Sequence, residues 1–224
     1  MSKTKHLSQL RCQLARHLVS CDQIRTASAV PTGCPPLDQF FLWSGWPKGE
    51  VSLIYGSEGL GPTALWLKAL PPLTQRQLWA AWVSPQHLKL CPWGLFQKDC
   101  DLSKIFVVEG HRHNPKQWLW IMGELLSTSL FEIIGCHWDH LSPPHSQIQK
   151  LRKLAQRYQC SIVILSQQQQ PLKSPFYATI LRTQGPLVEI ERALHRPTPK
   201  SFQRRVLYAD LMPQLSKKRK AIAS

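Results

Sequence analysis

The sequence predicts an α/β fold with a mainly parallel central sheet covered by helices on both faces. Short apolar runs alternate with amphipathic segments along the chain, the order expected of strands and crossover helices. The runs at 78–83 and 160–166 are apolar at nearly every position, which is typical of parallel strands buried on both faces. With 43% hydrophobic residues and nine tryptophans, the composition excludes a chain that is disordered throughout.

The individual elements follow from the same patterns. Strands are predicted at five apolar runs, namely residues 51–55, 78–83, 104–110, 130–136 and 160–166. We expect the run at 104–110, like that at 78–83, to be buried on both faces. Helices are predicted where apolar residues recur every three or four positions, at 62–70, 115–128 and 145–158. The last helix directs four basic residues outward: Lys150, Arg152, Lys153 and Arg157. Strand-like segments follow at 178–192, with a hairpin around 184–186, and at 204–210.

Three parts are predicted along the chain: residues 1–27, 28–191 and 192–224. The first is an amphipathic helix with a linker, and its leucine stripe consists of Leu7, Leu10, Leu14 and Leu18. A loop-forming run rich in Pro, Gly, Ser and Thr, residues 26–36, separates this helix from the α/β core. The stripe must be buried somewhere, and the sequence leaves open whether it packs on its own core or on a partner chain.

The positive charge favours a polyanionic partner such as nucleic acid. Lys and Arg number 28 against 13 acidic residues, a formal net charge of +15. From residue 192 onward there are nine Lys or Arg and one acidic residue, so this segment alone carries +8, and its end is predicted to be a disordered basic tail. The candidates for binding DNA or an acidic partner are Lys200, Arg204, Arg205, Lys217, Lys218, Arg219 and Lys220. Solubility is the alternative role for the tail.

The remaining composition favours a cytoplasmic location. No apolar run reaches the length of a membrane span, and residues 1–17 lack the continuous apolar core of a secretory signal. Seven irregularly spaced cysteines do not suggest a disulfide framework. His and Cys residues cluster at 111–113 and 136–140, but no second ligand pair stands at a recognisable distance, so we interpret them as loop or partly buried residues and predict no metal site.

Residues 56–63, GSEGLGPT, lie where a phosphate-binding loop is expected, between an apolar strand and a helix. The Walker A pattern is G-x-x-x-x-G-K-[ST]. Gly56, Gly61 and Thr63 match this pattern, whereas Pro62 stands in place of the lysine. The loop therefore has the spacing of a nucleotide site without its cation.

The stretch from Val30 to Thr63 resembles the beginning of a RecA-type recombinase core. The matching motifs, in order, are Thr32-Gly33, Leu37-Asp38, Trp46-Pro47-Lys48-Gly49 and Tyr55-Gly56. The short length, the N-terminal helix and the later segments are more similar to the ImuA family, which comprises RecA-like accessory proteins of bacterial mutagenic translesion-synthesis cassettes. The resemblance covers residues 28–190 and implies a RecA-like core preceded by an N-terminal helix.

The resemblance also implies where the ATPase residues should be. The phosphate-binding lysine falls on Pro62, which offers neither a charge nor an N–H donor. The water-activating glutamate falls on Gln86, which cannot accept a proton. The Walker B aspartate is expected to close the strand 130–136, where the chain has Gly135, Cys136 and His137. Asp139 comes too late for that position, and only Thr63, the magnesium-side hydroxyl, is retained.

A glutamine after the strand 160–166 lies near the nucleotide in RecA cores and leads into a DNA-binding loop. Gln167 is the matching residue, and 167–175 the matching loop, although a polar surface loop is the interpretation we favour because a Gln run carries no charge. The vestigial nucleotide site thus comprises Gly56, Gly59, Gly61, Pro62, Thr63, Gln86 and Gln167. We expect no catalytic residues and no required cofactor, with residual ATP binding left open.

Together these features predict a non-catalytic RecA-like accessory protein in the SOS response to DNA damage. The resemblance implies a RecA-type recombinase and an ImuB-like polymerase homologue as partners, with DNA and self-association as further candidates and no membrane partner. Two alternatives stay open at this point. One is an ATP-dependent DNA recombinase or motor with an unorthodox phosphate-binding loop, and the other is a division inhibitor resembling SulA.

Overall fold

A computed structural model describes residues 28–56, 61–85, 90, 95, 99–110, 115–138, 143–168, 170–184, 187–193 and 205–207. The N-terminal helix predicted from the leucine stripe lies outside these residues, as does most of the segment after residue 192. In the part of the chain that the structure describes, no helix is both long and apolar enough to cross a membrane.

The described strands form one eight-stranded sheet and a small two-stranded ladder. The ladder pairs β1 (Ala29–Val30) with β2 (Trp46–Pro47). The large sheet contains β3 (Val51–Gly56), β4 (Trp79–Pro85), β5 (Ile105–Gly110), β6 (Phe131–His137), β7 (Ser161–Ser166), β8 (Tyr177–Gln184), β9 (Leu187–Arg192) and β10 (Arg205–Leu207). These bounds differ from the predicted ones by one or two residues for most strands, the usual error at element ends.

The order of strands across the sheet is β10–β9–β8–β3–β7–β6–β4–β5. The six strands from β8 to β5 run parallel to one another, while β9 and β10 continue the sheet antiparallel at one edge. The predicted α/β class with a mainly parallel sheet is therefore confirmed, and so is the hairpin that joins β8 to β9.

Helices cover both faces of the sheet. Their bounds are α1 (Pro35–Phe40), α2 (Pro62–Leu67), α3 (Leu70–Thr74), α4 (Pro115–Ser127) and α5 (His145–Tyr158), with a short 3₁₀ turn at Leu102–Lys104. The first three helices pack on one face with Ile54, Trp82 and Leu165 of the strands. The last two pack on the opposite face with Leu53 and Ile164. Alternate residues of each central strand thus enter two separate cores.

The expectation that β5 is buried on both faces is wrong. Phe106 is 48% exposed and Val107 is 46% exposed, because β5 is the last strand of the sheet and β4 is its neighbour on one side. Strand β4 is buried at every position after Trp79, as predicted for the run at 78–83, and the central strands β3 and β7 are buried throughout. An apolar run does not distinguish an edge strand from a central one.

The single helix predicted at 62–70 is divided into α2 and α3. Pro71 and Pro72 have no N–H to donate to the carbonyls of Leu67 and Lys68, so a continuous helix cannot pass this point. Helix α2 instead ends in a tighter turn, in which the N–H of Lys68 donates to the carbonyl of Leu65 at 3.3 Å. Helix α3 then begins at Leu70. The prolines lie in the first turn of α3, where a missing donor costs little.

The Thr32-Gly33 and Leu37-Asp38 motifs have a structural role here. The N–H of Thr32 donates to the Asp38 carboxylate at 2.9 Å, and the N–H of Cys34 donates to the Thr32 hydroxyl at 3.1 Å. Gly33 has a φ of +72°, and a Cβ at this position would lie 1.8 Å from the carbonyl oxygen of Lys68. Only glycine fits against the end of α2. Burial raises the pKa of Asp38, and its hydrogen bonds from Thr32 oppose that rise.

Candidate functional site

The candidate site lies at the carboxyl edge of the parallel strands. Strand β3 runs between β7 and β8, and its last residue, Gly56, leads into residues 57–60, which lie outside the described part. In open α/β sheets, ligands bind beyond the carboxyl ends of the strands. Gln167 belongs to the same edge, because it directly follows Ser166, which pairs with Tyr55 of β3. Gln167 is partly buried.

Gly56 is required by packing between strands. A Cβ on Gly56 would lie 2.1 Å from the Thr183 hydroxyl oxygen and 2.3 Å from the Thr183 carbonyl oxygen. The Thr183 hydroxyl donates to the carbonyl of Tyr55 at 3.2 Å, which holds β8 close to β3 at this point. The first glycine of the loop is therefore explained by the sheet itself, without a phosphate.

The end of the loop begins helix α2. Gly61 precedes the helix and Pro62 occupies its first position, where proline is tolerated. The Pro62 ring is buried and Thr63 is partly exposed. Because α2 ends at Leu67, it spans fewer than two turns, and its dipole is correspondingly short. The position that would carry the lysine is thus filled by an apolar ring inside the protein.

Gly135, one of the three residues at the positions expected for the Walker B aspartate, is covered by a tryptophan. A Cβ on Gly135 would lie 2.4 Å from Cε2 of the Trp66 indole, and two further ring atoms would lie within 2.8 Å. Trp66 is fully buried and packs on Trp82 of β4, with ring centroids 4.7 Å apart. No side chain fits at residue 135 unless the indole moves.

The ends of the central strands carry no carboxylate. Ser84 near the end of β4 and His137 at the end of β6 are both 1% exposed, and Gly56 and Ser166 close β3 and β7. Magnesium binding in phosphoryl-transfer sites relies on carboxylates and phosphates. Residues 86–89 and 139–142 lie outside the described part, so the positions of Gln86 and Asp139 stay predictions.

The structure describes only part of the His and Cys cluster at 136–140. Cys136 and His137 are buried within β6, and burial raises the pKa of the Cys136 thiol. A thiol that resists deprotonation is a poor metal ligand. Among the described residues, no group of three or more His, Cys, Asp or Glu side chains is arranged to hold a metal. Residues 111–113 and 139–140 lie outside them.

A pocket of about 610 Å³ opens on the other face of β3. Its polar wall consists of Tyr55, Lys173, Arg182 and Glu191, and residues 170–172 of the segment after β7 form its rim. The Glu191 carboxylate accepts a hydrogen bond from the Tyr55 hydroxyl, and the Lys173 ammonium lies 2.7 Å from it. The Lys173 nitrogen also lies 5.3 Å from the centre of the Tyr55 ring.

In the network formed by Tyr55, Glu191 and Lys173, the charge of Lys173 is balanced by that of Glu191, and two of the three residues belong to strands of the sheet. Burial and the hydrogen bond to Glu191 raise the pKa of Tyr55. For Lys173, burial alone would lower the pKa, but the hydrogen bonds to Glu191 and Tyr55 outweigh it and the pKa is raised. Lys173, which belongs to the loop matched to a DNA-binding loop, is therefore engaged with its own protein.

Several predicted site residues lie outside the described part. They are Gly59, Gln86, Lys200, Arg204, Lys217, Lys218, Arg219 and Lys220, together with Leu7, Leu10, Leu14 and Leu18. Arg205 is described only in its backbone, which opens β10 and pairs with Glu189 of β9. Of the predicted nucleotide-site residues, the structure describes Gly56 at the end of β3, Gln167 directly after β7, and Gly61, Pro62 and Thr63 at the start of α2. It does not test the basic candidates.

Sequence reasoning missed two features of the site, the Trp66 indole and the Tyr55–Glu191–Lys173 network. One signal for the first was present, since a glycine inside a strand indicates close approach of another group, and Gly135 interrupts an apolar run. The second joins residues from three distant parts of the chain, and no local pattern indicates it.

Comparison with known proteins supports a partial relationship to RecA. No protein-family model matches the chain. RecA from two strains of Xylella fastidiosa is 39% identical to it over 64 residues, which cover 29% of this chain. The match covers 18% of the length of RecA, so the chain spans less than a fifth of the curated relatives it matches. Part of the chain is therefore RecA-like in sequence.

Proposed function

We propose that the chain is a RecA-like accessory protein of the DNA-damage (SOS) response that binds other macromolecules and does not hydrolyse ATP. In this role it supports mutagenic translesion synthesis by bridging a RecA-type recombinase, an ImuB-like polymerase homologue and DNA. The 64-residue similarity to RecA and the mainly parallel sheet support the RecA-like part of the proposal.

The packing of Trp66 on Gly135 is the observation that carries the proposal. Phosphoryl transfer depends on neutralising the charge of the phosphates with a lysine and a bound magnesium ion. At residue 135, one of the three positions matched to the metal-binding carboxylate, the indole leaves no room for a side chain, and at residue 62 a buried proline stands in place of the lysine. Both changes remove charge from the same reaction, which favours a scaffold over an ATPase.

The open edge at β5 supports docking of a protein partner. Its outer backbone groups have no paired strand among the described residues, and Phe106 and Val107 are about half exposed. An extended segment of a partner can add to such an edge through main-chain hydrogen bonds, with apolar contacts adding affinity. This arrangement suits a recombinase, a polymerase homologue or a second copy of the chain.

An ATPase assay with and without single-stranded DNA tests the catalytic part of the proposal. We expect no turnover above that of a Thr63→Ala variant, because the lysine and the metal-binding carboxylate are both replaced. Turnover that Thr63→Ala abolishes would instead identify an ATP-driven recombinase or motor with an unorthodox loop.

Pull-downs with the recombinase and the polymerase homologue of the same cell test the partners. The chain is compared with a version lacking residues 192–224, and with a Val107→Lys variant that places a charge on the open edge. Leu42→Lys, which adds the same charge at an exposed apolar residue after α1, is the control. Capture of the tubulin-like division protein in place of both partners would favour the SulA-like alternative.

A further inference from the structure

Helix α5 carries three basic side chains on one stripe of its outer surface. Lys150, Lys153 and Arg157 are spaced three and four residues apart, so they lie on the same side of the helix, and all three are exposed. The opposite side, including Leu151 and Ala155, is buried in the core. The stripe is therefore held in place by the packing beneath it.

Among the described residues, neither the helix nor an ion pair balances the positive charge of this stripe. No Asp or Glu occurs between His145 and Tyr158. Arg152, the fourth basic residue predicted to point outward, forms an ion pair with Glu50 through two contacts of 2.6 and 2.8 Å. None of the ion pairs found among the described residues includes a residue of the stripe.

The chemistry of the exposed face favours nucleic acid over an acidic protein. Besides the stripe, the exposed positions of α5 carry His145, Ser146, Gln149 and Gln156, and none is apolar. Protein interfaces depend on buried aromatic or aliphatic anchors and are depleted in lysine. Interfaces with nucleic acid are polar and strongly positive, and amide side chains also donate to phosphates.

We propose that Lys150, Lys153 and Arg157 form a contact surface for the phosphate backbone of a nucleic acid. Lys150 and Arg157 are seven positions apart, about 10 Å at 1.5 Å per residue. Each strand of duplex DNA presents one charge per roughly 3.4 Å of the axis, so one backbone offers about three phosphates over this length and can contact all three side chains together. The surface is separate from residues 192–224, where the proposed function expects DNA contacts, and it does not depend on the accessory role.

Fluorescence anisotropy with labelled single-stranded and duplex DNA tests this surface over about 50 to 200 mM salt. The test variant carries Lys150→Gln, Lys153→Gln and Arg157→Gln, because glutamine keeps helix propensity and removes the charge. We expect the slope of log affinity against log salt to fall by about 2–3 and the affinity at low salt to fall at least about tenfold. Each single variant should lower the slope by about 1. The single variants keep the test valid if the triple variant does not fold.

A control variant with Arg76→Gln, Lys104→Gln and Lys116→Gln removes the same charge from other parts of the surface and should keep the slope of the unmodified chain. A third variant, with Lys217, Lys218, Arg219 and Lys220 changed to glutamine, separates the stripe from the basic tail. The proposal is overturned if the stripe variant keeps the full slope, or if the control loses as much. It is equally overturned if poly-glutamate binds the chain as tightly as DNA and with the same dependence on the stripe.

Discussion

Gly135 and Trp66 constrain one another at the centre of the candidate site. The absence of a Cβ at residue 135 lets the indole approach β6 closely, and the indole leaves no room for a Cβ. Trp66 is fully buried and also packs on Trp82, the neighbour of Gly135 on β4, so it cannot move aside without disturbing the core. The glycine at residue 135 and the large ring at residue 66 therefore depend on each other for close packing.

Gly135→Ala is expected to destabilise the protein by about 1–3 kcal/mol, because the new methyl group overlaps the Trp66 ring. Urea unfolding of the variant and the unmodified chain measures this difference. Gly123→Ala is the matched control: Gly123 lies within α4 with nothing within 4 Å of the added Cβ, so stability should rise by about 0.5–1 kcal/mol.

A second substitution, at Trp66, tests whether contact with the indole causes the loss of stability in Gly135→Ala. In a Trp66→Phe background the smaller ring leaves space, and Gly135→Ala should then cost less than about half as much. An unchanged cost in both backgrounds would show that contact with Trp66 is not what excludes a side chain at residue 135.

At the scale of elements, one ion pair joins α5 to the start of the central strand. Glu50 directly precedes β3, and its carboxylate receives two hydrogen bonds from the Arg152 guanidinium of α5. The Glu50 side chain is only 12% exposed, so water replaces little of this interaction if the arginine is removed. Hydrogen bonding to Glu50 raises the pKa of Arg152, so the guanidinium stays charged.

Arg152→Gln should cost about 1–3 kcal/mol in the free energy of unfolding, since it leaves a mostly buried carboxylate unpaired. Lys153→Gln, one residue further along the same helix and exposed, should stay within about 0.5 kcal/mol of the unmodified chain. Thermal or urea unfolding of both variants provides the comparison. Adding Glu50→Gln to Arg152→Gln should recover part of the loss, and equal losses for Arg152→Gln and Lys153→Gln would contradict a stabilising pair.

At the scale of the whole molecule, the protein buries several acidic groups in their neutral form. Burial raises the pKa of the Cys136 and Cys160 thiols and of the Tyr177 hydroxyl. The folded chain therefore holds protons that the unfolded chain releases above about pH 8.5 for thiols and about pH 10 for phenols. Because the folded state binds more protons, its stability is complete below these values and falls as the pH rises.

We expect the free energy of unfolding to fall by at least about 2 kcal/mol between about pH 8 and 11, measured by urea titration at each pH. Tyr177→Phe should recover about 1 kcal/mol at the alkaline end. At neutral pH it should change stability little, because the Tyr177 hydroxyl has no hydrogen-bond partner among the described residues. Tyr158→Phe, at a partly exposed tyrosine of α5, controls for loss of a hydroxyl. A stability that does not vary with pH would contradict burial of these groups.

The sequence predicted the type of nearly every described element of the sheet and of the two long helices. Continuous apolar runs marked the strands β3, β4, β6 and β7, and the 3.6-residue period marked α4 and α5. These are local properties that depend on neighbouring residues alone. Pro71 and Pro72 could also have predicted the end of α2, because proline cannot continue a helix. The helical spacing of the apolar residues before them favoured a single helix instead.

The sequence by itself determined the α/β class and the Walker A-like spacing of Gly56, Gly61 and Thr63 between β3 and α2, with Pro62 where that pattern has a lysine. Only the tertiary structure decided the order of the strands, the exposure of β5 at the sheet edge, the burial of Trp66 against Gly135 and the ion pairing of Arg152. The physical reason is that element type follows from local periodicity, whereas an edge, a steric exclusion or an ion pair depends on which distant segments become neighbours.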